Sequence, residues 1–188
     1  MSHRLVYVIG PSGAGKDSVL NGLRVGWPFA ELVHWARRTI TRPLKAGDEQ
    51  HEAVNTVTFE QMLQAQIFSM HWQANGLSYG IRQTELAPLG SDHWVFVNGS
   101  RAYLPQVLQA WPQATVVHIV ASRAVLAQRL TQRSRESEDA VIERLSREVV
   151  LKLPNHVICI HNNGSLADAV DALQQALDGR LQRRKHGT

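Results

Sequence analysis

Eight residues, Gly10-Pro11-Ser12-Gly13-Ala14-Gly15-Lys16-Asp17, follow the apolar run Leu5 to Ile9 and precede the helical pattern Ser18-Val19-Leu20-Asn21-Gly22-Leu23. A buried strand, a glycine-rich turn and a helix in that order make a phosphate-binding loop. Gly10, Gly13 and Gly15 permit backbone geometry and close approach that a Cβ would hinder. Successive N–H groups then point into one concavity at a helix N-terminus, where the dipole also favours anions. Lys16 reaches the β- and γ-phosphates of a nucleoside triphosphate.

The loop signature places Ser or Thr after the lysine as a hydroxyl ligand for Mg²⁺. Here Asp17 stands there, with Ser18 next. A carboxylate is a good Mg²⁺ ligand or a partner for its bound waters. Acidic residues also stabilise a first helical turn. Metal binding by Asp17 and Ser18, and helix stabilisation by Asp17, are both open at this point.

Two arginine clusters extend the chemistry. Thr39-Ile40-Thr41-Arg42-Pro43, followed by Lys45-Ala46-Gly47-Asp48-Glu49, combines hydroxyls with cations as phosphate recognition requires. Arg129-Leu130-Thr131-Gln132-Arg133-Ser134-Arg135 has the composition of a phosphate-facing lid. Arg129 and Arg133 share one helical face at i, i+4, and Arg144 follows on the next helical stretch. Loop, hydroxyl segment and lid together suit phosphoryl transfer. That reaction needs in-line positioning of donor and acceptor, and stabilisation of developing charge by Lys, Arg and Mg²⁺. A phosphate acceptor is already a nucleophilic anion, so no dedicated general base is required.

These side chains need a scaffold that brings loops to one end. Short β-rich runs recur at Glu31 to Arg37, Val95 to Val97, Thr115 to Val120 and His156 to Ile160. Helical stretches lie at Ala102 to Ala110, Arg123 to Arg133, Glu138 to Leu151 and Leu166 to Leu177. Alternating β and α units predict an α/β fold: a parallel sheet with helices on both faces and right-handed crossovers. Ligands then sit at the carboxyl ends of the strands, beside the phosphate loop. Residues 38 to 82 break this rhythm with a polar loop, a short helix near Thr58 to Phe68 and strand-like pieces around Ser69 to Trp72 and Leu77 to Tyr79.

A chain of 188 residues with 44% hydrophobic and 19% charged residues reads as one soluble domain with a real core. No apolar stretch approaches the roughly 20 residues a bilayer span needs. Leu5 to Ile9 leads straight into the loop without a signal-peptide pattern, so a cytoplasmic location is expected. Cys159, the single cysteine, stands in an apolar run and is expected to be a buried strand residue. The nine histidines show no metal-ligand spacing; His51-Glu52 opens like a zinc-protease helix, but Asn55 stands where the second histidine belongs. The net charge is +4, and the basic end Arg180, Arg183, Arg184 and Lys185 reads as a solvated tail, not as a nucleic-acid surface.

In order along the chain, Gly-Pro-Ser-Gly-Ala-Gly-Lys, Thr-x-Thr-Arg-Pro with Gly47, Gly76-Leu77-Ser78-Tyr79-Gly80 and the Arg133 segment resemble the nucleoside-monophosphate kinase superfamily, guanylate kinase above all. A narrower resemblance is to the bacterial ribose 1,5-bisphosphate phosphokinases of phosphonate utilisation. It rests on Gly15-Lys16-Asp17-Ser18, Ile40-Thr41-Arg42, His71 to Leu77 with Tyr79-Gly80, Val97 to Ala102 with Leu104-Pro105-Gln106, and Asn162 to Leu166. The resemblance implies a P-loop kinase core over residues 1 to 188, an acceptor-binding insertion near 38 to 82 and a lid near 129 to 144. On the ATP side it implies Lys16, Arg129, Arg133, Arg144 and Asn162, with Lys16, Arg133 and Arg144 stabilising the transferring phosphoryl group. On the acceptor side it implies Thr39, Thr41, Arg42, Tyr79, Asn98 and Arg101.

Guanine recognition in guanylate kinase uses an acidic side chain shortly before the Gly-x-x-Tyr-Gly segment; here that position falls near Met70, where no carboxylate exists. A thioether cannot accept two N–H bonds from a guanine edge. Arg101 beside Asn98 suits an acceptor with a second phosphate. The implied reaction is transfer from ATP, with Mg²⁺, to the 1-phosphate of α-D-ribose 1,5-bisphosphate, giving 5-phospho-α-D-ribose 1-diphosphate. Guanylate kinase and a non-catalytic guanylate-kinase-like binding module are the alternatives; such modules commonly lose the nucleotide loop, which is intact here.

Overall fold

A computed structural model describes residues 2–27, 30–44, 51–91, 93–133 and 153–185. The chain divides into two compact units: Met1–Tyr7 with Glu31–Thr115, and Val8–Ala30 with Val116–Thr188.

Strands β1 (Leu5–Ile9), β2 (Val33–Trp35), β7 (Trp94–Asn98), β8 (Thr115–Val120) and β9 (Ile158–His161) form a sheet in the order β2-β7-β1-β8-β9. All five residues of β1 are buried, as expected of a parallel strand covered on both faces, and they supply its uninterrupted apolar run. The β2–β7 and β8–β9 pairings are parallel. This is the α/β, mostly parallel architecture that the alternation of elements predicts.

In the second unit, helix α1 (Lys16–Gly26) buries Val19, Leu20 and Leu23. It lies against the last described helix, α6 (Leu166–Lys185), which buries Ala169, Leu173 and Leu177. Gly22 allows that approach, because a Cβ there would stand 2.5 Å from Val170 Cγ2. At the other end of α1 the Trp27 indole donates to Asp178 Oδ1 at 3.1 Å. Helix α5 (Arg123–Arg133) keeps the boundaries read from sequence.

In the first unit, β3 (Arg38–Ile40), β4 (Glu52–Ala53), β5 (Phe68–Ala74) and β6 (Leu77–Arg82) make a separate four-stranded sheet in the order β4-β3-β6-β5. Helix α2 (Thr56–Gln64) starts two residues before the expected helix and ends four before it, and Phe68 opens β5. Asn55 caps it, its side chain accepting from Thr58 N at 2.7 Å. A four-residue helix, α3 (Gln83–Leu86), follows β6, and α4 (Leu104–Ala110) follows β7 with Pro105 in its first turn.

Cys159 is exposed, not buried as expected. β9 is the edge strand, and only Ile158 and Ile160 face inward while Cys159 and His161 point out. Residues Glu138 to Leu151, the lid from 134 to 144 with Arg144, and the Lys45-to-Glu49 segment lie outside the described residues.

Candidate active site

The phosphate loop belongs to the second unit. Gly15 is the N-cap of α1 in the left-handed conformation, with φ 85°. A side chain is excluded there twice over: by the dihedral, and because a Cβ would lie 2.5 Å from Asn162 Nδ2. Asn162 directly follows β9. Its backbone N–H donates to Val120 O, and its side-chain amide donates to Ala14 O, each at 2.8 Å. It thereby ties the loop to the carboxyl end of the sheet. Only 2% of Asn162 is exposed, yet its Oδ1 has no hydrogen-bond partner among the described residues. Arg129 on α5 brings a second such atom to this place: its buried Nη1 lies 3.7 Å from the position of a Gly15 Cβ and has no partner among the described residues.

The Lys16 ammonium donates to Gly10 O at 2.9 Å and Pro11 O at 3.3 Å, so its charge is held over the loop itself. Asp17 and Ser18 are the second and third residues of α1. No side chain caps the helix through Gly15, and Asp17 supplies the acidic group of the first turn. Their carboxylate and hydroxyl oxygens are the donor type Mg²⁺ takes, and such sites commonly combine one or two protein oxygens with substrate phosphates. Among the described residues no cluster of three or more His, Cys, Asp or Glu could hold a metal by itself.

The first unit carries the remaining predicted residues. Thr41 Oγ1 accepts from Ser78 N at 2.9 Å, and Thr41 N donates to Ser78 O at 3.1 Å, which fixes the Arg42 segment to the start of β6. Arg42 in turn accepts on its carbonyl from the His51 ring at 2.9 Å. Tyr79 is partly exposed on β6. Gly80 beside it is required by packing: a Cβ would lie 2.4 Å from the Phe68 ring, which stacks on Phe59 of α2.

Thr39 corrects the reading of the Thr-x-Thr-Arg segment. It is 1% exposed, and its hydroxyl donates to Glu52 Oε2 at 2.7 Å, so it holds β3 to β4 and has no surface for a ligand. Arg82 grips the same carboxylate with Nε at 2.8 Å and with a second, short bond to Oε1. Burial pushes the Glu52 carboxyl up, but the bonds from Thr39 and Arg82 and the charges of Arg82 and Arg37 outweigh it and hold it below the usual carboxylate range.

Asn98 is buried at the carboxyl end of β7. The turn after it is clamped by Tyr7. The Tyr7 hydroxyl accepts from Ser100 N at 3.0 Å and donates to Ser100 O at 3.2 Å, and a Cβ on Gly99 would collide with the Tyr7 ring at 2.1 Å. Burial raises the Tyr7 pKa, so the phenol stays protonated and able to do both. Arg101 emerges from this turn partly buried, and its side chain has no hydrogen bond or ion pair among the described residues. Desolvation lowers its pKa. A partly desolvated guanidinium favours an anionic partner.

The guanylate kinase family profile matches residues 2–180. The chain belongs to the guanylate kinase family. Its curated relatives include the ribose 1,5-bisphosphate phosphokinase PhnN of Agrobacterium fabrum, 38% identical over 92% of this chain and 95% of that protein. The protein of the same name from Janthinobacterium sp. (strain Marseille) is 44% identical over 93% of this chain, which spans 40% of that protein's length. Among solved structures, guanylate kinase from Anaplasma phagocytophilum superposes with a TM-score of 0.70 at 14% identity, covering 94% of this chain and 85% of the other, which is a likeness of fold.

In this guanylate kinase family member the predicted residues fall into two groups. Lys16, Arg129 and Asn162 come together at the loop of the second unit. Thr41, Arg42, Tyr79, Asn98 and Arg101 belong to the first unit. Arg133 ends α5, and Arg144 lies outside the described residues. Tyr7, Glu52 and Arg82 hold neighbouring segments in place, which the sequence alone does not indicate. Each acts through a partner at least seven residues away, and only Gly99 and Gly80 hinted at close contacts.

Proposed function

We propose that this protein transfers the γ-phosphoryl group of ATP to the 1-phosphate of α-D-ribose 1,5-bisphosphate, forming 5-phospho-α-D-ribose 1-diphosphate and ADP. The observation that carries the reading is Arg101: a partly buried cation with no anion among the described residues, three positions after Asn98 ends its strand. It suits an acceptor with a second phosphate. Met70 supports the same choice, because the position that would need a carboxylate to read guanine holds a fully buried thioether. The names of the curated relatives agree with it.

An oxygen of the 1-phosphate attacks the γ-phosphorus, the bond from that phosphorus to the β–γ bridging oxygen breaks, and ADP departs with the electron pair. The attacking phosphate is an anion, so no proton has to be removed first. Loop N–H groups and Lys16 hold the β- and γ-phosphates and stabilise the charge that develops between them. Mg²⁺, when bound with ATP, supplies further neutralisation, and Asp17 and Ser18 are the residues fitted to hold it. Arg129 and Asn162 each have a polar atom at the loop without a partner among the described residues and serve ATP; Arg133 and Arg144 serve the transferring group. Arg42, Tyr79 and Arg101 hold the acceptor's phosphates, and Thr41 holds Arg42 in place.

The test is incubation with ATP, Mg²⁺ and ribose 1,5-bisphosphate, with the product identified by mass and by the phosphorus resonances of a diphosphate ester. A product one phosphate heavier than the acceptor is expected. ATP consumption without that product would refute the substrate.

A further inference from the structure

In the first unit two tyrosines meet the ring of one tryptophan. Trp72 on β5 and Tyr79 on β6 are direct cross-strand partners. Their rings lie 1° from parallel with centroids 5.6 Å apart. The Arg38 guanidinium sits over the same Tyr79 ring, 5.8 Å from its centroid. Tyr103, just before α4, meets the Trp72 indole at 5.9 Å and 34° and the His71 ring at 6.4 Å. Trp72 is 9% exposed, whereas Tyr79 stays partly exposed. The Tyr79 hydroxyl has no hydrogen-bond partner among the described residues.

These exposures assign different work to the two rings. Trp72 is too buried to meet a ligand, and Tyr103 limits its movement. Tyr79 has a free donor and a reachable edge, but β6 alone would leave its ring a choice of rotamers. A parallel ring on one strand and a cation over the face restrict that choice. Met70 shares the face of β5 that carries Trp72 and is fully buried, so Trp72 is packed into the buried side of this sheet.

We propose that Trp72 is the positioning residue of the acceptor half: it holds Tyr79 in the orientation in which the phenol donates to an acceptor phosphate. This inference rests on the reading that the first unit receives a phosphorylated acceptor. Trp72 touches no substrate, so its contribution passes through Tyr79.

A double-mutant cycle tests it with Trp72→Ala, Tyr79→Phe, the double variant and the conservative Trp72→Phe, measuring KM for ribose 1,5-bisphosphate and for ATP. Loss of an aromatic pair predicts about a three- to ten-fold rise in acceptor KM for Trp72→Ala, with kcat and ATP KM held within about two-fold. Trp72→Phe keeps a stacking ring and stays near the wild type. The double variant is no worse than the more severe single, because both changes remove one interaction. Additive effects, an unchanged acceptor KM in Trp72→Ala, or an equal rise in ATP KM would overturn the proposal. If the alanine variant does not fold, Trp72→Leu keeps apolar volume without a ring and carries the same cycle. Should the wild type ignore ribose 1,5-bisphosphate, the proposed substrate fails; the cycle is then run with the phosphorylated acceptor it turns over fastest, which decides the Trp72–Tyr79 coupling separately.

Discussion

The Tyr7 hydroxyl and the Ser100 backbone hold each other in both directions, the phenol accepting from Ser100 N at 3.0 Å and donating to Ser100 O at 3.2 Å across 93 residues of sequence. The turn so fixed carries Arg101. Tyr7→Phe leaves the ring against Gly99 and removes both bonds. At about 0.5–1.5 kcal/mol for each net hydrogen bond, acceptor KM should rise by roughly five- to 150-fold if the whole loss is felt at Arg101. Steady-state kinetics with each substrate varied in turn checks this, and ATP KM should stay at the wild-type value.

Lys16→Ala should remove most turnover while the protein stays folded. A contact made mainly in the transition state is worth about 3–4 kcal/mol, a loss of two to three orders of magnitude in kcat. Circular dichroism confirms the fold, and single-turnover rates at saturating ATP isolate the chemical step. A folded variant with most of its kcat intact would refute the role of the loop.

Gly80→Ala should destabilise the first unit by about 1–3 kcal/mol or more, as overpacking of a filled site does. The added Cβ meets the Phe68 ring at 2.4 Å, and that ring is already stacked on Phe59. Denaturant titration gives the difference. Phe68→Leu in the same background should recover part of it.

Glu52 sets an acid limit. Its folded pKa lies below the ordinary 4.5, so the stability it contributes is fully present above that value and is lost as pH falls through the lowered pKa. The urea midpoint of the wild type should therefore drop on acidification below pH 4.5. Glu52→Gln should be less stable at neutral pH and should show a flatter acid limb.

The features legible in the sequence were those set by local backbone chemistry. The phosphate loop needs glycine where φ is positive, and α5 matches its predicted span residue for residue. Helix α2 begins and ends earlier than the apolar pattern suggests, because Asn55 caps its start and the apolar Phe68 belongs to a strand. Cys159 looked buried because its neighbours are apolar, but an edge strand buries alternate residues only. Thr39 looked like a ligand because its partner, Glu52, stands thirteen residues on and becomes adjacent only when β3 and β4 pair. The bonds of Tyr7 and Arg82 are not legible for the same reason: they join segments that meet only once the chain is folded.

The most direct measurement is kcat/KM for ribose 1,5-bisphosphate against GMP, at saturating ATP and Mg²⁺, for the wild type and Arg101→Ala. A preference of about a hundred-fold or more for the bisphosphate is expected in the wild type, since Met70 leaves a guanine edge unpaired. Arg101→Ala should lose bisphosphate activity through a higher acceptor KM and gain none with GMP. Efficient GMP phosphorylation with ribose 1,5-bisphosphate left untouched would contradict the proposed function at its centre.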